Sequence, residues 1–281
     1  MNSPEKLTPA EGLAAITGAA GGLGKAFAVE CASRGWDLFL TDLPSARLDD
    51  LAAGLRRAYG VRVITHGCDL TDPASRELLF DTIQAESLHF WALFNVAGID
   101  FEGPFCEQTR RQICTVIRLN IEGTLDMTHT LLQHRAPRSP FRIINVASLA
   151  AFAPMPAKAT YAASKRFLLD FSLALREEVR GMGATVTVLC PAGLPTTPDC
   201  IEAIAAQGWM GIITTQDIGR VADETINAAL RGSPVVIPGA ANHLLKVLSG
   251  LVPARLAAGL VGSRWNSARR KRGLQNLPAA T

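Results

Sequence analysis

Apolar residues in this chain fall into short runs separated by longer stretches in which they recur every three or four positions. The runs lie near Ala14, Leu38, Val63, Leu93, Ile143, Val186 and Val235 and read as strands. The stretches between them have the spacing of amphipathic helices, with a clear example over 159–180. Such alternation implies a parallel sheet wrapped on both faces. The expected fold class is therefore α/β, a Rossmann-like doubly wound sheet of about seven strands in one domain. At 281 residues and 48% hydrophobic content, the chain can fill one large core without a second domain. No internal repeat or low-complexity linker interrupts the pattern.

The chemistry-bearing residues sit at the ends of these elements. After the first run comes the turn Thr17-Gly18-Ala19-Ala20-Gly21-Gly22-Leu23-Gly24. Its glycines allow a tight turn and close backbone approach to a pyrophosphate, and the helix that follows would aim its amino terminus at the phosphates. Ser148 follows the run 141–147, which reads as a buried parallel strand, so its hydroxyl falls where ligands bind in open α/β sheets. Tyr161 and Lys165 are four apart on the helix over 159–180 and share a face. A free tyrosine ionises near pH 10, and a neighbouring ammonium, helped by an oxidised nicotinamide ring, is expected to lower that value. The set describes general acid/base work on an alcohol or ketone oxygen, which Ser148 would hydrogen-bond.

Taken together, these residues resemble the short-chain dehydrogenase/reductase family in its compact single-domain form, over about residues 13–238. Thr17, Gly18, Gly22 and Gly24 fill the family's Thr-Gly-x-x-x-Gly-x-Gly turn, with Leu23 inside it. The family's Asn-Asn-Ala-Gly strand end appears as Asn95-Val96-Ala97-Gly98, with one departure at Val96, and the resemblance implies that Asn95, Ala97 and Gly98 keep its cofactor role near the adenine side and its bracing of the central strand. The resemblance implies that Asn120 completes a catalytic tetrad with Ser148, Tyr161 and Lys165 by holding a proton relay. It also implies cofactor contacts from Asp69 and Leu70 after the third strand, from Tyr161 and Lys165, and from Pro191, Gly193 and Thr196 after the sixth strand, 184–190. Ala192 stands where the family has glycine, and Thr197 rivals Thr196 for the nicotinamide carboxamide. Taken alone, Asn120 also fits a helix surface, while Asp69 and Asp42 also fit turns ahead of a helix.

Asp42 ends the second strand about 20 residues past the glycine turn, where a carboxylate binds ribose hydroxyls and repels a 2′-phosphate. Gly21 and Leu43 supply no cation nearby, so NAD is the expected cofactor over NADP. Apolar residues around 194–213, with Phe152, Pro154, Met155 and Pro156, suggest an apolar alcohol or ketone substrate. Such loops serve equally well as core or subunit contacts. Partners expected by resemblance are that small molecule and further copies of the chain, as a homodimer or homotetramer through 112–134 and 159–180; no nucleic acid is expected.

Six cysteines without Cys-x-x-Cys or zinc spacing, and scattered histidines, point to reduced thiols, no metal site and a cytoplasmic setting. The amino terminus lacks the basic-then-apolar order of a signal peptide. We divide the chain into 1–239, the NAD-binding domain, and 240–281, an amphipathic basic extension. The extension has seven Lys and Arg residues and no acid; since the chain carries +3, the rest carries 3 − 7 = −4. Its apolar positions read as one or two amphipathic helices broken at Pro253, far short of the roughly 18 residues of a membrane span. A peripheral membrane contact through 240–272, a cover over the substrate mouth, and packing on the chain's own domain or a partner remain open. A non-catalytic NAD(H)-sensing or membrane-surface regulatory protein is the rival function, although such relatives usually lose the tyrosine or the lysine. An extended-type epimerase or dehydratase is opposed by the short carboxyl-terminal region.

Overall fold

The computed structural model describes residues 11–196, 198–206, 213–251, 253–256, 258–259 and 262–263. Seven parallel strands form one sheet in the order β3-β2-β1-β4-β5-β6-β7. They are β1 Leu13–Thr17, β2 Leu38–Asp42, β3 Val63–Gly67, β4 Phe90–Asn95, β5 Phe141–Val146, β6 Ala184–Leu189 and the two-residue β7 Val235–Val236. All seven runs read from the sequence are strands. Strand β1 is buried along its whole length, as a strand covered by helices on both faces must be.

Alternating side chains divide the core into layers. On one face, Ile16, Leu38, Leu40 and Phe94 pack against helices α1 Gly22–Ser33, α2 Ala46–Tyr59 and α8 Ile218–Leu230. On the other, Leu13, Ala15, Phe39 and Leu93 pack against α3 Pro73–Ala85, α5 Thr124–Gln133 and α6 Ala159–Val179. Strand order reverses between β1 and β4, so the crevice at their carboxyl ends is the topological switch point of the sheet. Thr17, Asn95, Ser148 and Pro191 all lie at or just beyond strand carboxyl ends facing that side.

Helix α4 Arg110–Ile117 opens with a capping box between Thr109 and Gln112. It continues through a π-helical turn, Arg118–Gly123, into α5. A π-turn rotates the side chains that follow it relative to a regular helix, and this one carries Asn120. Past β6 come α7 Pro198–Ala206, α8 and the tail helix α9 Ala240–Leu251. Pro253 interrupts the tail as expected from sequence, and the basic residues over 264–272 fall outside the described residues.

Candidate active site

The glycine turn is set by steric necessity. Gly18 has φ +63°, and a Cβ there would meet the Ala97 backbone at 2.8 Å. A Cβ on Gly24 would lie 2.0 Å from the Gly18 carbonyl oxygen. The Thr17 hydroxyl donates to the Phe94 carbonyl at 3.4 Å and accepts from the Val96 and Ala97 amides at 3.0 and 3.1 Å. Thr17 thus ties the end of β1 to the exit of β4. Helix α1 starts at Gly22 with no side-chain cap and no acid in its first turn. Its first-turn amides are oriented outward as anion donors, and the missing side chains leave the backbone accessible. This cradle fits a dinucleotide pyrophosphate.

Asp42 braces the cradle from the end of β2. One carboxylate oxygen accepts the Ala20 amide at 2.8 Å and the other accepts the Leu43 amide at 2.7 Å. It therefore serves the turn while standing at the position from which a ribose would be read. Asp69 closes its own turn, accepting from the Thr71 amide and hydroxyl at 2.8 Å, and helix α3 is capped instead by Asp72. Leu70 is buried, and its carbonyl is held by the buried Arg76, which also pairs with Asp126 at 2.7 Å.

Ser148, Tyr161, Lys165 and Asn120 come together beyond β4 and β5. Ser148 starts the 3-10 turn Leu149–Phe152, its hydroxyl accepting the Ala150 amide at 3.1 Å. It also hydrogen-bonds Tyr161. Lys165 is buried, donates to the Val146 carbonyl at 2.9 Å, and holds its ammonium 5.7 Å from the centre of the Tyr161 ring. Asn120 is fully buried, which removes the helix-surface alternative. Its side-chain amide donates to the Ile99 carbonyl and the Ser164 hydroxyl, both at 3.0 Å, and its oxygen accepts the Ile99 amide at 2.8 Å. Gly98 lies between the two groups: a Cβ there would come within 3.2 Å of the Lys165 nitrogen and 3.3 Å of the Asn120 oxygen. Asn95 faces inward instead, donating to Thr128 and Asn145 at 2.9 Å and so bracing β4 against β5.

The protein's own electrostatics do not by themselves lower the tyrosine. The spacing of Tyr161 and Lys165 suggests a lowered tyrosine, yet the phenol is pushed up to about 12, first by burial and then by the Asp100 carboxylate, with the Ser148 hydrogen bond opposing. Lys165 is drawn down to about 8 by burial, with Asp100 and the Cys190 thiol opposing. Desolvation disfavours both charged forms, and the lysine spends its ammonium on a main-chain carbonyl. The protein's own groups therefore hold Tyr161 protonated at neutral pH.

Three charged residues that the sequence reading did not single out stand beside this pair. Lys158, just ahead of α6, forms an ion pair with Asp100 and approaches Glu102 at 3.7 Å. Its ammonium lies 5.7 Å from the Tyr161 ring centre, so cations flank the ring in a pair with Lys165. The second Asp100 oxygen is buried without a hydrogen-bond partner among the described residues. The signal was available: Asp100 and Glu102 follow Gly98 by two and four positions, and Lys158 precedes Tyr161 by three.

Past β6, Pro191 is buried and its carbonyl accepts the Leu149 amide at 2.8 Å, joining this loop to the one after Ser148. Gly193 is exposed next to Ile204. Thr196 rests on the glycine turn, since a Cβ on Gly22 would meet its side chain at 2.9 Å, and its hydroxyl donates to Cys200 at 3.5 Å. Thr197, Trp209, Met210 and Ile212 fall outside the described residues. Among the described residues no group of three or more His, Cys, Asp or Glu side chains is placed to hold a metal ion.

Fold and site together define a nucleotide-dependent oxidoreductase on a doubly wound sheet. The profile of the short chain dehydrogenase family matches residues 13–200, and the chain belongs to that family. Very-long-chain 3-oxoacyl-CoA reductase from Laccaria bicolor is 33% identical over 177 residues, 62% of this chain and 52% of the relative. The 17-beta-hydroxysteroid dehydrogenase type 3 of Rattus norvegicus is 29% identical over 253 residues, 86% of this chain and 77% of the relative. The chain thus spans about half the length of the first relative and three quarters of the second. Among solved structures, a short-chain dehydrogenase from Sphingobium yanoikuyae in complex with NADPH superposes with TM-score 0.71 at 27% identity, covering 96% of this chain and 98% of that one. A bulky-bulky ketone specific alcohol dehydrogenase from Comamonas testosteroni, at 23% identity and TM-score 0.73 over 96% of this chain and 97% of its own, shares the fold.

Proposed function

We propose that the chain transfers a hydride between NAD(H) and an apolar secondary alcohol or ketone. The observation that carries this reading is the convergence of Ser148, Tyr161, Lys165 and the buried Asn120 beside a glycine cradle at the switch point of the sheet. A bound nicotinamide supplies the hydride donor or acceptor and, when oxidised, a positive charge. Tyr161 moves the proton at the substrate oxygen, and Ser148 hydrogen-bonds that oxygen. Lys165 binds the ribose and favours the tyrosinate once the cofactor's charge adds to its own. Asn120, fixed through Ile99 and Ser164, keeps the relay behind the lysine in place.

The NAD preference rests on Asp42 at the end of β2 and on the absence of a cation at Gly21 and Leu43. The NADPH in the Sphingobium enzyme makes this preference a point for measurement. The apolar substrate class is supported by exposed Ile201 on α7 and Ile213 in the segment that follows it. Homo-oligomer formation through α4, α5 and α6 is supported by exposed Phe167 and Leu173 on α6. An apolar substrate partitions into bilayers, so a peripheral membrane station belongs to the same reading.

Nicotinamide absorbance, followed with NAD and NADP in parallel across apolar secondary alcohols and ketones, tests the proposal. Turnover with NAD that disappears in Tyr161→Phe is the expected result. NADH binding without turnover on any substrate would favour the sensing role instead.

A further inference from the structure

The tail helix is inverted relative to an ordinary surface helix. Asn242 is fully buried, its amide donating to the carbonyls of Pro238 at 2.7 Å and Thr214 at 3.1 Å. Leu244, Val247 and Leu248 are 60%, 54% and 48% exposed. At about 100° per residue, Leu244 and Leu248 lie about 40° apart and Val247 is adjacent, while Asn242 points away on the far side. The helix thus turns its polar anchor inward and an aliphatic ridge outward. It has no acidic residue, and neither does the sequence beyond it to residue 281, which carries seven Lys and Arg with Lys246 included.

The helix that carries this ridge lies beside the site. Helix α9 packs on the 3-10 turn Leu149–Phe152 that follows Ser148. Lys246 is near enough for its charge to act on Cys190 at the end of β6. Further along, Gly262 lies against Pro156, where a Cβ would meet the proline ring at 3.2 Å. Leu256, between them in sequence, is 61% exposed.

We propose that the outer face of α9 seats the protein on an anionic lipid bilayer, with Leu244, Val247 and Leu248 entering the interface and the basic tail engaging the headgroups. The aliphatic ridge supplies the apolar layer for that surface, and the acid-free sequence over 240–281 with its seven Lys and Arg supplies the charged one. A second copy of this chain would bring the same excess of cations against itself, which disfavours self-pairing through the tail. Seated this way, the turn after Ser148 lies beside the bilayer, so a lipid-dissolved substrate reaches the site without crossing water. The docking step stands apart from the choice of substrate, and its test needs no turnover.

Flotation of the full chain is measured with phosphatidylcholine vesicles and with vesicles containing about a third phosphatidylglycerol. The chain floats with the anionic vesicles, and flotation falls at about 1 M salt, where the Debye length is near 3 Å. The triple variant Leu244→Gln/Val247→Gln/Leu248→Gln loses at least about tenfold in vesicle affinity while NADH binding is unchanged. Hydrogen exchange over 240–251 in the unaltered chain slows when anionic vesicles are added, which provides a readout independent of the variant's folding. Flotation that ignores lipid charge overturns the proposal, as does a triple variant that floats normally. Sedimentation showing that the triple variant loses an oligomeric state, with no vesicle binding by the parent chain, would reassign the ridge to a contact between copies. Vesicle binding without turnover on any substrate would leave the docking intact and overturn the substrate reading alone.

Discussion

The two halves of the site are built from different materials. The nucleotide half, around β1, β2 and the glycine turn, works through backbone: Gly18, Gly22 and Gly24 matter for what they lack, and Asp42 spends both oxygens on main-chain amides. The catalytic half, around β4, β5 and α6, works through desolvated ionisable side chains, with Tyr161 pushed up to about 12 and the buried Lys165 drawn down to about 8. One half recognises by shape, which tolerates almost no added atom. The other sets proton affinities, which shift by degrees when a neighbouring charge changes. Substitutions in the first should therefore be abrupt in structure, and those in the second should range from total to graded in chemistry.

The largest effect is expected at Tyr161. Replacing it with Phe removes the hydroxyl proposed to move the proton and should cut turnover by about a hundred- to ten-thousandfold. NADH affinity, read by fluorescence titration, should change less than about threefold, because the cradle is untouched. A variant that turns over within tenfold of the parent, on the order of 1.4 kcal/mol in barrier, would remove Tyr161 from the chemistry.

Gly24→Ala should break the other half. Its Cβ would sit 2.0 Å from the Gly18 carbonyl oxygen, against backbone that has nowhere to go. The expected cost is about 3 kcal/mol in thermal or denaturant unfolding, with loss of NADH binding in whatever folds. Gly54→Ala serves as the control: it lies within α2 and its Cβ would meet nothing within 4 Å, so it should be neutral or slightly stabilising. Equal stability of the two variants would mean that the turn does not have this tight geometry.

How much could be read without coordinates follows the same division. Strand positions and the glycine turn were legible because burial on both faces and the need for tight turns leave direct marks on residue type and spacing. The positions of Ser148, Tyr161 and Lys165 were legible for the same reason, each being tied to a strand end or one helix face. The value of the Tyr161 pKa was not, since spacing places Lys165 near it but says nothing of burial, of the Val146 carbonyl that occupies the ammonium, or of Asp100 reaching in from the loop after β4. Asn120 illustrates both sides: its identity fits the family pattern, but only the π-turn explains how its side chain reaches Ile99 and Ser164. The inward turn of Asn242 was likewise hidden, because helical periodicity defines an apolar stripe without saying which way it faces.

A smaller effect should appear at Asp42. Removing its carboxylate by Asp42→Ser takes away the ribose acceptor and the repulsion of a 2′-phosphate, and should lower the NAD over NADP preference in kcat/KM by about tenfold. The Ala20 amide loses its partner as well, so some loss of stability, about 1 kcal/mol, should accompany it. A preference that stays unchanged, or that favours NADP in the parent chain, would deny Asp42 the reading role and leave it a brace for the turn.

The most graded response should come from Asp100, where the two halves differ most. Tyr161 must be ionised to accept a proton from an alcohol, and the Asp100 carboxylate disfavours that form. Asp100→Asn should therefore lower the tyrosine pKa and move the rising limb of the oxidation pH profile to lower pH. Lys158→Met has the opposite sign: it strips a cation from beside the ring and leaves Asp100 without its ion-pair partner, so the limb should move to higher pH. Cofactor affinity at neutral pH should hold in both, since neither residue lies in the glycine cradle. Limbs that move together, or not at all, in profiles of kcat/KM would mean that the charges flanking Tyr161 are screened from it, and that the catalytic half, like the nucleotide half, works by position alone.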